Sequence, residues 1–87
     1  MTDFKLMIEN ESVEDVLLYL APFRAFPDVD RMFVRYKFDV IENAILPTVY
    51  RKLLDEGKLV NDAQGHTKKG PHWKEPAFVT QKKYGIS

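Results

Sequence analysis

Apolar residues recur at helical spacing through much of the chain up to Glu56, after which the pattern changes. Val13, Val16, Leu17, Leu20 and Ala21 share one face of a 3.6-residue repeat and predict a helix over about 13–21. Ser12 stands where its oxygen accepts from the open amides of a first turn, and Glu14 and Asp15 complement the positive helix end. Pro22 disfavours helical geometry at Ala21, so the helix should weaken there. Ala25, Phe26 and Pro27 then read as a short connection.

Two patterns compete between Asp28 and Asn43. Val34, Tyr36, Phe38 and Val40 alternate with Arg35, Lys37 and Asp39, as in a half-buried strand. At helical spacing, however, Asp28, Arg31, Arg35, Asp39 and Glu42 form one polar stripe, leaving Val29, Phe33, Tyr36, Val40 and Ala44 opposite. The helix, over about 29–43, accounts for the whole stretch and is preferred, with a strand over 32–40 as the alternative.

Pro47 suits the first turn of a further helix over about 47–56, because amides there have no partner inside the helix. Val49, Tyr50, Leu53 and Leu54 would face a core, Thr48, Arg51, Lys52 and Asp55 would face outward, and Gly57 would take the left-handed cap. Beyond it, Leu59 and Val60 and the segment from Ala77 to Thr80 read as short strands, with a long polar, lysine-rich tip between them. The expected hairpin spans about 58–80, and 81–87 either extends its second strand or lies loose. No internal repeat is visible.

Composition narrows the class. A chain of 87 residues, 45% hydrophobic and with 11 aromatics, fits one domain with a genuine core. Without cysteine it has no disulfide, thiolate metal site or cysteine nucleophile, which suits a reducing cytoplasm. The first ten residues lack the basic and apolar regions of a signal peptide, and the longest nearly apolar run, Val16 to Phe23, is far short of the ~20 residues of a membrane span. The expectation is a soluble, cytoplasmic domain with no membrane partner.

The net charge of zero conceals a gradient: residues 1–20 sum to −4 and residues 57–87 to +4. Such asymmetry either orients a binding surface or reflects scattered solvated lysines.

The order of helix, short turn, helix, glycine, strand, basic loop and return strand resembles a winged helix-turn-helix domain. The likeness rests on Leu46 to Val60 (LPTVYRKLLDEGKLV), similar to the recognition helix and following strand of bacterial winged-helix regulators, and on Ala77 to Gly85 (AFVTQKKYG), similar to a return strand. The resemblance implies an α+β fold of three helices with a C-terminal β-hairpin wing. It also implies DNA binding and transcription regulation, with Thr48, Arg51 and Lys52 on the major-groove helix and Lys68, Lys69 and Lys74 on the wing. Arginine matches guanine edges and lysines neutralise phosphates. A homodimer is left open, since many such regulators pair to read two half-sites. The unusually long wing, the acidic end of the helix at Asp55 and Glu56, and overall neutrality depart from the pattern. They favour the alternative of a protein-binding module, such as a bacterial or phage inhibitor or immunity-like protein, using the acidic N-terminal face against a basic partner.

No catalytic or cofactor motif is present, and the carboxylates Asp28, Asp30, Asp55 and Glu56 are explained as helix-end groups, so a non-enzymatic role is expected. His66 and His72 lack a third ligand at zinc-site spacing, so no metal is expected. Trp73 would stack on a base, anchor in a partner or, more commonly, fold back over its own domain. Phe23, Phe26, Phe33, Tyr36, Phe38 and Tyr50 are expected in the core, with Tyr50 the candidate exception beside the contact face.

Overall fold

The computed structural model describes residues 2–86. An N-terminal helix α1 (Phe4–Asn10) leads into α2 (Val13–Leu20), α3 (Phe26–Tyr36), α4 (Phe38–Glu42) and α5 (Ile45–Asp55). A two-stranded antiparallel sheet follows, β1 (Leu59–Asn61) with β2 (Thr67–Lys69), then a one-turn helix α6 (Ala77–Thr80) and a closing 3-10 turn over Lys83–Gly85. The fold is α+β.

Local chemistry sets the helix ends. The Ser12 side chain accepts from the Asp15 amide at 3.1 Å and caps α2 as expected. Asp3 does the same for α1 through the Leu6 amide; that helix, not predicted from the sequence, buries Met7 and Ile8, which with Phe4 stand at i, i+3 and i+4 over a stretch too short to stand out as a repeat. At the end of α5, Lys58 N–H donates to the Leu53 carbonyl, Gly57 N–H donates to that of Leu54, and Gly57 has φ +74°. This paired closure needs a left-handed residue, and glycine takes that conformation without a Cβ clash.

The stretch after Asp28 is helical and not a strand, but it is two helices, and the first starts at Phe26, so Phe26 and Pro27 belong to its first turn and not to a connection. Lys37, at φ −155° and ψ 60°, leaves helical geometry between α3 and α4. The polar stripe survives the break: Val29, Phe33 and Val40 are buried, while Val34 and Phe38, which alternation would have placed inside, are exposed. Ala44 turns through φ 56°, so α5 begins two residues earlier than Pro47 suggested. Pro47 still lies in the first turn, where no amide is required.

The larger correction concerns the wing. Leu59 pairs with Lys69, Val60 with Lys68 and Asn61 with Thr67, so the return strand is Thr67–Lys69 and not Ala77 to Thr80. The tip is short because Asp62 organises it: its carboxylate accepts from the Gln64 and His66 amides, both at 2.9 Å. Ala77–Thr80 winds into α6 and drives Phe78 inward, edge-on to Tyr19 at 5.7 Å and Tyr84 at 5.9 Å. Of the tail 81–87, the residues up to Ile86 are neither strand nor loose, since Lys83–Gly85 form the 3-10 turn and the Tyr84 carbonyl accepts from Asp3 N–H; Ser87 lies outside the described residues.

The core is formed where α1, α2, α3 and α5 converge, around Phe33, Leu17, Leu46, Leu53 and Leu59. Full burial of each such side chain contributes about 1.5–3 kcal/mol against an entropy cost of similar total size.

Candidate functional site

Helix α5 buries Leu46 and Leu53 and turns Thr48, Arg51, Lys52 and Asp55 to solvent, as its sequence predicts. The hairpin stands directly against this helix. The Tyr50 hydroxyl meets Asn61 Oδ1 at 3.0 Å and Thr67 Oγ1 at 2.6 Å, tying the middle of α5 to both strands. The Tyr50 ring packs on Phe26 at 4.7 Å, so the same residue also reaches the first turn of α3.

A groove opens at this junction. Pro22, Phe23, Arg24 and Phe26 form one wall, His66, Thr67 and Lys68 the other, and Tyr50 lies between them. Its charged lining residues, Arg24 and Lys68, are both cationic. Asp62, at the hairpin tip, has its carboxyl held below the usual carboxylate range, chiefly by the hydrogen bond from the His66 amide.

The residues expected to contact nucleic acid separate into groups. Thr48 and Arg51 are exposed on α5, but the Thr48 hydroxyl donates back to the Ala44 carbonyl at 2.9 Å. Lys52 Nζ lies 3.5 Å from Glu14 Oε1, an oxygen that Lys58 Nζ approaches at 3.6 Å. Glu56, through a hydrogen bond, and the charge of Glu14 hold the Lys58 ammonium above its ordinary pKa. Lys68 faces outward into the groove. Lys69, on the opposite strand face, lies over Trp73 at 4.2 Å and Phe23 at 5.5 Å. Lys74 lines a separate depression together with Glu14, Asp15 and Glu75, so it does not join the others.

Trp73 is half-buried and its indole N–H donates to the Leu18 carbonyl at 2.8 Å, so it folds back on its own domain. His66 lines the groove and His72 the separate depression; among the described residues no three metal-binding side chains come together. No helix among those residues is long and apolar enough to cross a membrane.

Phe23, Arg24 and Phe26 were missed as site residues, and Phe23, 66% exposed, is not in the core where it was expected. Phe38, 55% exposed, departs from the same expectation. The signal for the groove wall was present in Pro22 to Pro27, where two prolines bracket aromatic and basic residues. Pro22 follows the end of α2 and Pro27 sits in the first turn of α3, so Phe23, Arg24 and Ala25 form the short exposed link between the two helices. No protein family, curated protein or solved structure matches the chain.

Proposed function

We propose that the chain is a non-catalytic, nucleic-acid-binding module of winged helix-turn-helix kind, with α5 approaching duplex DNA and the β1–β2 hairpin serving as a short wing, in the manner of a small transcriptional regulator. One observation carries this reading: the exposed helix and the hairpin are tied through Tyr50 into one surface, and the groove at their junction has only cationic charged walls. Arg51 and Lys68 are the side chains best placed to act on it, as a base-edge and a phosphate contact respectively. The overall neutrality of the protein then predicts modest affinity that depends steeply on salt.

Titration of labelled duplex DNA against salt tests this. Binding should be measurable at low ionic strength, and Lys68→Ala should lower the slope of log K against log salt by about 0.9. Absence of binding at low salt overturns the proposal.

A second reading, a protein-binding module of the inhibitor or immunity kind, is favoured by the exposure of Val34 and Phe38 near the junction of α3 and α4. An acidic N-terminal docking face is a weaker basis for it, because Glu14 is already engaged by Lys52 and Lys58. Purification from the native cell should then recover a stoichiometric protein partner.

A further inference from the structure

Four cation–aromatic contacts lie along one path. Lys69 sits over Trp73 at 4.2 Å and over Phe23 at 5.5 Å. Arg24, the next residue in the chain, lines the groove beside α5 while its guanidinium lies 5.0 Å from the centre of the Phe4 ring. Phe4 in turn shares a shallow depression with Arg31, Arg35 and Tyr36, and Arg35 lies 5.8 Å from the Tyr36 ring centre. Arg24 therefore connects two depressions, one at the hairpin and one between α1 and α3.

We infer that this path, from Trp73 and Phe23 past Arg24 to Phe4, Arg35 and Tyr36, is a binding track for single-stranded nucleic acid. The chemistry fits an unpaired strand. Phe23 is exposed and Phe4, Tyr36 and Trp73 are half-buried; aromatic surface accepts stacked bases whatever their sequence, and cations placed between rings match phosphates placed between bases. Phe23 is the most exposed large apolar side chain among the described residues, at 66%, and it is flanked by Lys69 and Arg24. The carboxylate engaged by a lining residue, Asp28, is paired with Arg31 at 3.7 Å, and Asp3, next to Phe4, is occupied in capping α1. A duplex would present no base faces to these rings; the track shares Phe23 and Arg24 with the groove beside α5 but runs away from the outward helix face that carries Arg51. The inference goes beyond the duplex reading and does not require it.

Trp73 is the single tryptophan and lies at one end of the track, so its fluorescence reports occupancy. On addition of an oligothymidylate of about 15 nucleotides to the full chain at low salt, Trp73 emission should be quenched and the anisotropy of a labelled oligonucleotide should rise. Phe23→Ala should weaken this binding about tenfold. Arg24→Ala and Arg35→Ala should each lower the salt slope by about 0.7. All three positions are exposed, and an unchanged urea midpoint confirms that each variant is folded. Arg51→Ala should leave single-strand binding unaltered, which separates this site from the duplex surface.

No binding by the wild-type chain overturns the inference, as does undiminished binding by Phe23→Ala. Loss through Arg51→Ala alone would assign single-strand binding to α5, also overturning it. Equal or tighter binding of a Glu- and Tyr-rich peptide at the same residues would make the track a peptide groove and overturn it as well.

Discussion

The contact between Trp73 and Leu18 shows how one residue creates the need that another meets. In a continuous helix the Leu18 carbonyl would accept from the amide of residue 22, but that residue is proline and has no N–H. A carbonyl left unpaired at a partly covered helix end is costly, and the Trp73 indole, 55 residues away, supplies the missing donor at 2.8 Å. Trp73→Phe keeps most of the apolar cover and removes the donor, so urea unfolding should show a loss of about 1 kcal/mol. Adding Pro22→Ala to that variant restores an amide at the right position and should return part of the loss; a double variant no more stable than Trp73→Phe would refute this account. Pro22 and Trp73 are both plain in the sequence, and so is the preference of tryptophan for covering its own domain. That these two residues answer each other was not legible, because nothing local relates them.

At the scale of elements, short-range chemistry proved a good guide and long-range pairing a poor one. The faces of α2 and α5, the Ser12 cap and the Gly57 closure follow from residues within one or two turns. The strand Thr67–Lys69 was hidden because it has no apolar residue, whereas Ala77 to Thr80 offered the apolar residues that a strand usually shows. What selects Thr67–Lys69 is the tip at Asp62 together with the hairpin base, where Gly70 N–H donates to the Lys58 carbonyl at 3.0 Å. A Cβ on Gly70 would stand 2.1 Å from the Gly57 carbonyl oxygen, and backbone cannot yield as a flexible side chain would. Gly70→Ala should therefore cost at least about 2 kcal/mol in urea unfolding. It should also broaden the amide resonances of β1 and β2 before those of α1, and an unperturbed hairpin would contradict the tight closure.

For the whole molecule, the charge gradient along the chain is partly resolved within the fold. Glu14, from the acidic end, lies between Lys52 and Lys58, and Glu11 accepts from the Tyr84 hydroxyl, joining the two ends of the chain. That hydrogen bond raises the phenol pKa from 10.0 to about 12. A raised pKa favours the protonated form in the fold, so the stabilisation is complete below pH 10.0 and fades as pH climbs towards about 12. The stability gap between wild type and Tyr84→Phe, measured by urea midpoint, should be constant from pH 7 to 9 and close across that alkaline window. A gap independent of pH would show that Glu11 does not hold the phenol. For the candidate site, the sequence pointed to the outward face of α5, because helical periodicity states which side is wet. It did not point to the groove, whose walls come from the α2–α3 link with the first turn of α3, from Tyr50 and from the hairpin tip. Interactions between neighbouring residues were enough to set the helix faces, the caps, the left-handed glycine and the α+β character. Which strand pairs with β1, the helical turn of Ala77–Thr80, and the placing of Lys69 and Arg24 against Trp73, Phe23 and Phe4 arise only when distant segments meet. Those outcomes depend on contacts between residues far apart in the chain, where closure entropy and shape choose the partner and local preference has no say.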